Sequence, residues 1–236
     1  EHREQSLADG ITPPPYLDIY LASNRTDGFA LMKRYLGPIR VGIAISEGLL
    51  QASFFDLALW VNYGIPNYSI IYPVMPDMMI GASYRNSDEF RSLAYHELAH
   101  ASHFMNVGPN YWQGLAAAEI AADGWGNANS ADAGRIAICE SWAEHIAWTY
   151  VHRRYQGNTS FFITWEERLE RARNHFPNHV PVGLHHDLVD NANLLDANAC
   201  DRRGPDANTP PTCGMVVDNV VGFTNGQLFS ILGVGV

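Results

Sequence analysis

Hydrophobic and polar positions follow a helical period through the middle of this chain and a shorter, broken rhythm on either side. In "NSDEFRSLAYHELAHASHFMNVGPN", Leu93, Leu98, Ala101 and Phe104 supply much of an apolar face. Ser87 is placed to cap that helix, Asp88 and Glu89 lie in its first turn, and Gly108-Pro109 marks its end. "GRIAICESWAEHIAWTYVHRRY" has the same period, with Ile136, Cys139, Trp142, Ala143, Ile146 and Ala147 on one broad apolar side. Between them, "YWQGLAAAEIAADGWGNANS" predicts a short helix and then a Gly/Asn-rich loop.

The flanks differ. Residues 1–85 carry "TPPPY", "GPIR" and "YGIPNYSIIYPVMPDMMIG" and few helix patterns. Short strands broken by Pro and Gly fit there, and "YSIIYPV" and "MMIGASY" are the best of them. The last third, 157–236, holds one charged, solvated helix, "WEERLERARNHF", a loop-rich cysteine segment and a final helix at "TNGQLFSIL". Thr224 and Gln227 have capping-box spacing at the start of that final helix. The order predicts a single α+β domain over 1–236: a β-containing part at 1–85, a helical part at 86–156, and helices with a loop at 157–236.

Composition narrows the partners. The chain has 236 residues, of which 47% are hydrophobic, enough to bury a core. A net charge of −10 argues against a nucleic-acid partner and against docking on anionic lipid. The longest apolar run, "GLLQASFFDLALWV", is interrupted by Gln51, Ser53 and Asp56, which argues against membrane insertion. Cys200 and Cys213 flank "DRRGPDANTPPT"; a disulfide closing that loop would contribute about 3 kcal/mol and implies an oxidising compartment. With no Met at Glu1, the expectation is an extracytoplasmic protein (secreted, periplasmic or surface-anchored) whose targeting segment has been removed. The Asp/Asn-rich "DLVDNANLLDANACD" lacks the spacing of a calcium loop and reads as part of the turn-forming, disulfide-closed segment. Cys139, inside an apolar helix, reads as a buried, unreactive thiol.

The candidate chemistry lies in "HELAH". On a helix, His96 and His100 are four apart and project to one side, close enough to share one Zn2+ ion. Glu97 can then act as general base on zinc-bound water, whose pKa such an ion lowers towards about 7. His103 stands roughly 10 Å along the axis from His96, too far to join the same shell, and reads as supporting or structural. A third ligand must come from downstream, and two glutamates compete. Glu119, with Asp123, resembles the E-x-x-x-D of thermolysin-like gluzincins. Glu140 has Glu144 one turn on, so one carboxylate can bind metal while the other supports a ligating histidine. Two neighbouring acids on a buried helix are costly unless a cation is present.

H-E-x-x-H followed by a helix bearing E-x-(F/W)-A-E resembles the gluzincin zinc metallopeptidases, notably the lethal-factor-like toxin proteases. There too a Gly-Arg pair precedes the ligand glutamate, as Gly134-Arg135 precedes Glu140. The layout of "HELAHASHF", "ICESWAEHIAW" and "GLHHDL" is also similar to secreted bacterial zinc-binding metallopeptidases. The resemblance covers mainly 87–156, with weaker support at 183–190. It implies a zincin-like fold, with His96, His100 and Glu140 as zinc ligands, Glu97 as base and Glu144 behind a ligand. It also implies an extracytoplasmic protein or peptide substrate that pairs with "MMIGASY" as an edge strand. One position departs: the toxin proteases carry an oxyanion-stabilising tyrosine just before the Gly-Arg pair, and this chain has Ala133. His185 and His186, beside Asp187, are the candidate replacements, with Tyr111 and Tyr95 behind them. The alternatives are a catalytically weak or inactive zinc-stabilised binding module, and a protease restricted to glycosylated or cell-wall peptides.

Overall fold

A computed structural model describes residues 1–41, 76–83, 86–156, 180, 184–189 and 222–233. The strand expected at "YSIIYPV", the charged helix at 165–176, and Cys200 with Cys213 all lie outside the described residues.

Three short strands form one sheet: β1 (Ile19–Ala22), β2 (Gly28–Ala30) and β3 (Met78–Gly81). Their order is β1-β3-β2, with β1 parallel and β2 antiparallel to β3. "MMIGASY" therefore does contain a strand, but not an edge strand. β3 is central, because its two sides pair with Ile19–Ala22 and with Gly28–Ala30. The β1–β2 connection crosses over the end of β3. Gly81 N–H donates to Asp27 O at 2.9 Å, and a Cβ on Gly81 would lie 2.6 Å from the carbonyl oxygens of Arg25 and Asp27. Glycine is required there by this close backbone approach. Asp77, fully buried, accepts from Asp18 N–H and Arg34 N–H, and so joins the start of the sheet to a helical run at 33–41.

Helices supply the rest: α1 (His2–Ala8), α2 (Ser87–Ala122), α3 (Ala133–Tyr155), α4 (Leu184–Val189) and α5 (Asn225–Leu232). Among the described residues the architecture is α+β, mainly helical with one small sheet. α1 and the run at 33–41 are the helical stretches among the described residues before 85, beside the three strands. α2 also differs from expectation at both ends. Asn86, not Ser87, takes the extended cap position, and Ser87 Oγ instead shares a hydrogen bond with Tyr155 Oη at 2.8 Å. At Gly108 the backbone turns to φ 79°, breaking the helix, and Pro109 starts it again. Proline fits there because the first helical residue needs no N–H partner. The helix then runs on to Ala122.

α2 lies between two cores. On one side Tyr95 and Ala99 meet Trp142, Ala143, Ile146, Tyr150 and Val151 of α3, with Leu228 and Phe229 of α5. On the other, Ala101, Phe104, Trp112 and Leu115 meet Met78, Ile80, Met32 and Leu36. Trp112 Nε1 donates to Ala30 O at 3.1 Å, tying the resumed half of α2 to β2. The expected capping box at Thr224 and Gln227 is formed. Among the described residues no helix is long and apolar enough to cross a membrane.

Candidate metal centre

α2 and α3 pack side by side, and their helical period decides which side chains meet. His96 and His100, one turn apart, face Glu140 on α3. His96 Nε2 lies 3.0 Å from His100 Nε2. Glu140 gives one carboxylate oxygen to each ring, Oε2 at 3.2 Å from His96 Nε2 and Oε1 at 3.3 Å from His100 Nε2. All three residues are buried. Their ligand atoms lie within 4.8 Å of one another, the only such group of three or more among the described residues, and this group can hold a metal ion.

The contacts are short but poorly served by protons. Glu140 Oε2, despite its distance from His96, has no partner of hydrogen-bond geometry among the described residues. Converging nitrogen lone pairs and a buried carboxylate are costly together unless a cation lies between them. Without one, His96 takes up a proton. Burial pulls the His96 pKa down, but Glu140 and Glu144 outweigh it and raise it well above the ordinary histidine value. Burial likewise opposes ionisation of Glu140, and His100 and His96 reverse it, holding that carboxyl below its usual range.

A second set of side chains surrounds these three. Glu144 Oε1 stands 3.4 Å from His96 Nδ1, and Cys139 Sγ stands 3.2 Å from His100 Nδ1. Both partners come from α3, adjoining Glu140 in sequence or in turn. Glu97, on α2 between the two histidines, is only 2% exposed, and its Oε2 has no hydrogen-bond partner among the described residues. Burial raises its pKa to about 7 against the pull of His96 and His100, while Glu140 and Glu144 add to the rise. Strand β2 lies directly against this carboxylate. A Cβ on Gly28 would come within 2.5 Å of Glu97 Oε1.

The remaining candidates lie elsewhere. Glu119 stays outside the three-residue group. It is partly buried on the resumed half of α2, and burial, then Glu140 and Glu97, push its pKa well up. His103 is fully buried, with both ring nitrogens unpartnered among the described residues, and its ring packs against Tyr111 and Trp112. Tyr111 donates to Arg135 O at 3.4 Å, and Tyr95 packs with His2 and Tyr150 in the core. His185, on α4, sits with a different group. Its Nδ1 is 3.2 Å from Ser141 Oγ, and its ring lies against Trp142 and 6.2 Å from His145. Ser141 Oγ donates to Ile138 O, so His185 Nδ1–H is the donor to that oxygen. The side chain of His186 lies outside the described residues.

Two contributors escape sequence reasoning. Gly28 meets Glu97 only through the tertiary fold, and nothing in the sequence marks it. Cys139 is legible as buried, but its partner depends on which way α3 faces α2. No protein-family model matches this chain, and neither does any curated protein or solved structure.

Proposed function

We propose that this chain is a zinc-dependent peptidase of the gluzincin type with a zincin-like fold, acting on an extracytoplasmic protein or peptide. The observation that carries the reading is the set of separations among His96, His100 and Glu140. Ligand atoms about 2.0–2.1 Å from a tetrahedral ion stand about 3.3 Å from one another, and the separations here are 3.0, 3.2 and 3.3 Å. Two imidazoles and one carboxylate are also the donor set of hydrolytic zinc sites that keep a fourth position for water. A zinc ion held there would supply an acidified water and a polarising charge for the substrate carbonyl.

The chain's own groups do the rest. Glu97 takes the proton from the attacking water and returns it to the leaving amine. A carboxyl held near neutrality by burial is matched to that two-way transfer. Glu144 faces His96 Nδ1 and keeps that ring oriented. An extended peptide would pair along β2, the strand that abuts Glu97, because β3 has both sides taken within the sheet. His185, already engaged with Ser141, is given no part in this chemistry.

A second reading has its own support. His96, Glu97, His100 and Glu140 are each less than 9% exposed, and Ala133 stands where the toxin proteases carry a tyrosine. Both favour a zinc-stabilised binding module without turnover. Elemental analysis of reloaded protein combined with a peptide-library cleavage assay separates the two. Near-stoichiometric zinc in the wild type, cleavage, and loss of cleavage in Glu97→Gln support the peptidase. Zinc without cleavage selects the binding module. No zinc ends both.

A further inference from the structure

His96 and His100 are turned towards the same point, yet different chemistry stands behind each ring. His96 Nδ1 faces the carboxylate of Glu144 at 3.4 Å, a common arrangement behind a metal-bound imidazole. His100 Nδ1 faces the sulfur of Cys139 at 3.2 Å. Cys139 has no exposed surface, and the ring of Trp112 crosses that of His100 edge-on at 6.1 Å. The imidazole is thus bounded by sulfur at Nδ1, an aromatic ring to one side, and His96 with Glu140 at Nε2.

A neutral imidazole carries one proton, and its other nitrogen carries the lone pair. For Nε2 of His100 to face His96 and Glu140 as a lone-pair donor, the proton must sit on Nδ1 and needs an acceptor there. We propose that Cys139 is a positioning residue: its Sγ accepts the Nδ1–H of His100 and so fixes His100 Nε2 as the ligating nitrogen. The inference rests on the metal-centre reading above. Its local basis is simple. Cys139 and Glu140 are consecutive on α3, so their side chains leave the helix about 100° apart. One reaches the far nitrogen of His100 while the other reaches the near one. A sulfur in this place orients the ring without adding another carboxylate to a site that already holds Glu97, Glu140 and Glu144.

The test is long-range proton–nitrogen NMR of the full, metal-free chain at alkaline pH, which reads directly which ring nitrogen carries the proton, paired with zinc affinity by chelator competition. In the wild type His100 should show the Nδ1–H tautomer. Cys139→Ser, which keeps an acceptor, should retain it. Cys139→Ala should shift His100 towards the Nε2–H form and weaken zinc binding by about 10–100-fold, with most of that loss absent in Cys139→Ser. An Nε2–H tautomer in the wild type overturns the proposal, whether or not Cys139→Ala folds. So does a Cys139→Ala protein with unchanged tautomer and affinity; zinc bound in that case would leave the metal centre standing and make Cys139 a core filler. If the tautomer follows Cys139 but no variant binds zinc, the positioning role holds and the metal reading fails.

Discussion

Two buried histidine clusters flank α3, and they are built on opposite rules. On one side His96, His100 and Glu140 point their nitrogen and oxygen atoms at one another, with Glu97 Oε2 beside them lacking a hydrogen-bond partner among the described residues. On the other, His145 Nε2 and His185 Nδ1 face neutral neighbours. His145 Nε2 is 2.8 Å from Asn225 Oδ1, Asn225 Nδ2 donates to Asp9 at 2.6 Å, and His185 donates to Ser141. Arg153 closes that chain by pairing with Asp9 at 2.8 Å. The second network joins α1, α3 and α5, and its described hydrogen bonds run from donor to acceptor. Histidine density alone therefore does not mark a ligand site. What marks a candidate one is the convergence of two ring nitrogens and a carboxylate within ligand distance, beside buried carboxylate oxygens that lack a hydrogen-bond partner among the described residues.

The sharpest way to break this contrast is to remove a member of each cluster and weigh the metal. Glu140→Gln should lower zinc affinity by more than the 10–100-fold typical of an outer partner, while His145→Gln should leave the zinc content of the purified protein unchanged. If both changes release metal equally, the two clusters are not distinct. Glu97→Gln comes next. It should retain zinc and lower kcat by about 10²–10⁴-fold, the range for loss of a general base.

Gly28→Ala probes the same carboxylate from the sheet side. The added methyl would displace Glu97, and a misplacement near 1 Å costs up to about 100-fold in turnover. Metal content should hold, and steady-state kinetics beside elemental analysis would show whether it does. In the second cluster, Asn225→Ala removes the link between His145 and Asp9. Stability should fall by about 1–3 kcal/mol in urea denaturation, with zinc affinity untouched.

The last contrast is in pH, and the metal-free clusters differ in its sign. Burial lowers the His185 pKa to about 4, so below pH 6.5 the unfolded chain binds a proton that the folded one refuses. His185 therefore costs up to about 1.4 kcal/mol per pH unit as pH falls from 6.5 towards 4. His96 runs the other way. Its raised pKa stabilises the metal-free fold below pH 6.5, and that contribution is lost as pH climbs through the folded value. Urea midpoints measured across pH for His185→Gln and His96→Gln should change slope in opposite senses.

The α2–α3 half of the molecule is legible because a 3.6-residue period fixes which side chains share a face. "HELAH" and "ESWAE" need only that rule to put His96 with His100, and Glu140 with Glu144, on shared faces; that Glu140 rather than Glu119 joins the histidines is what the family resemblance implies. Thr224 and Gln227 were legible for a similarly local reason. Gly108-Pro109 reads as a stop in the sequence and is a break in the fold, since the pair that ends one helix also starts the next. The sheet was less readable. β1 and β2 are four and three residues long, too short for an alternating pattern to declare itself. "MMIGASY" identifies a strand without saying how many neighbours it has. Gly28 against Glu97 and Cys139 against His100 are facts of tertiary packing, which no local signal encodes.

The separation of these parts along the chain has a kinetic consequence. Both histidines and Glu140 lie within one helical hairpin, Ser87 to Tyr155, whereas Gly28 reaches Glu97 only after the chain has folded back over a long interval. Contacts close in sequence form faster than distant ones. Refolding should therefore assemble the candidate triad first and lay β2 over Glu97 afterwards. In that order a metal ion would enter an open hairpin before β2 covers Glu97.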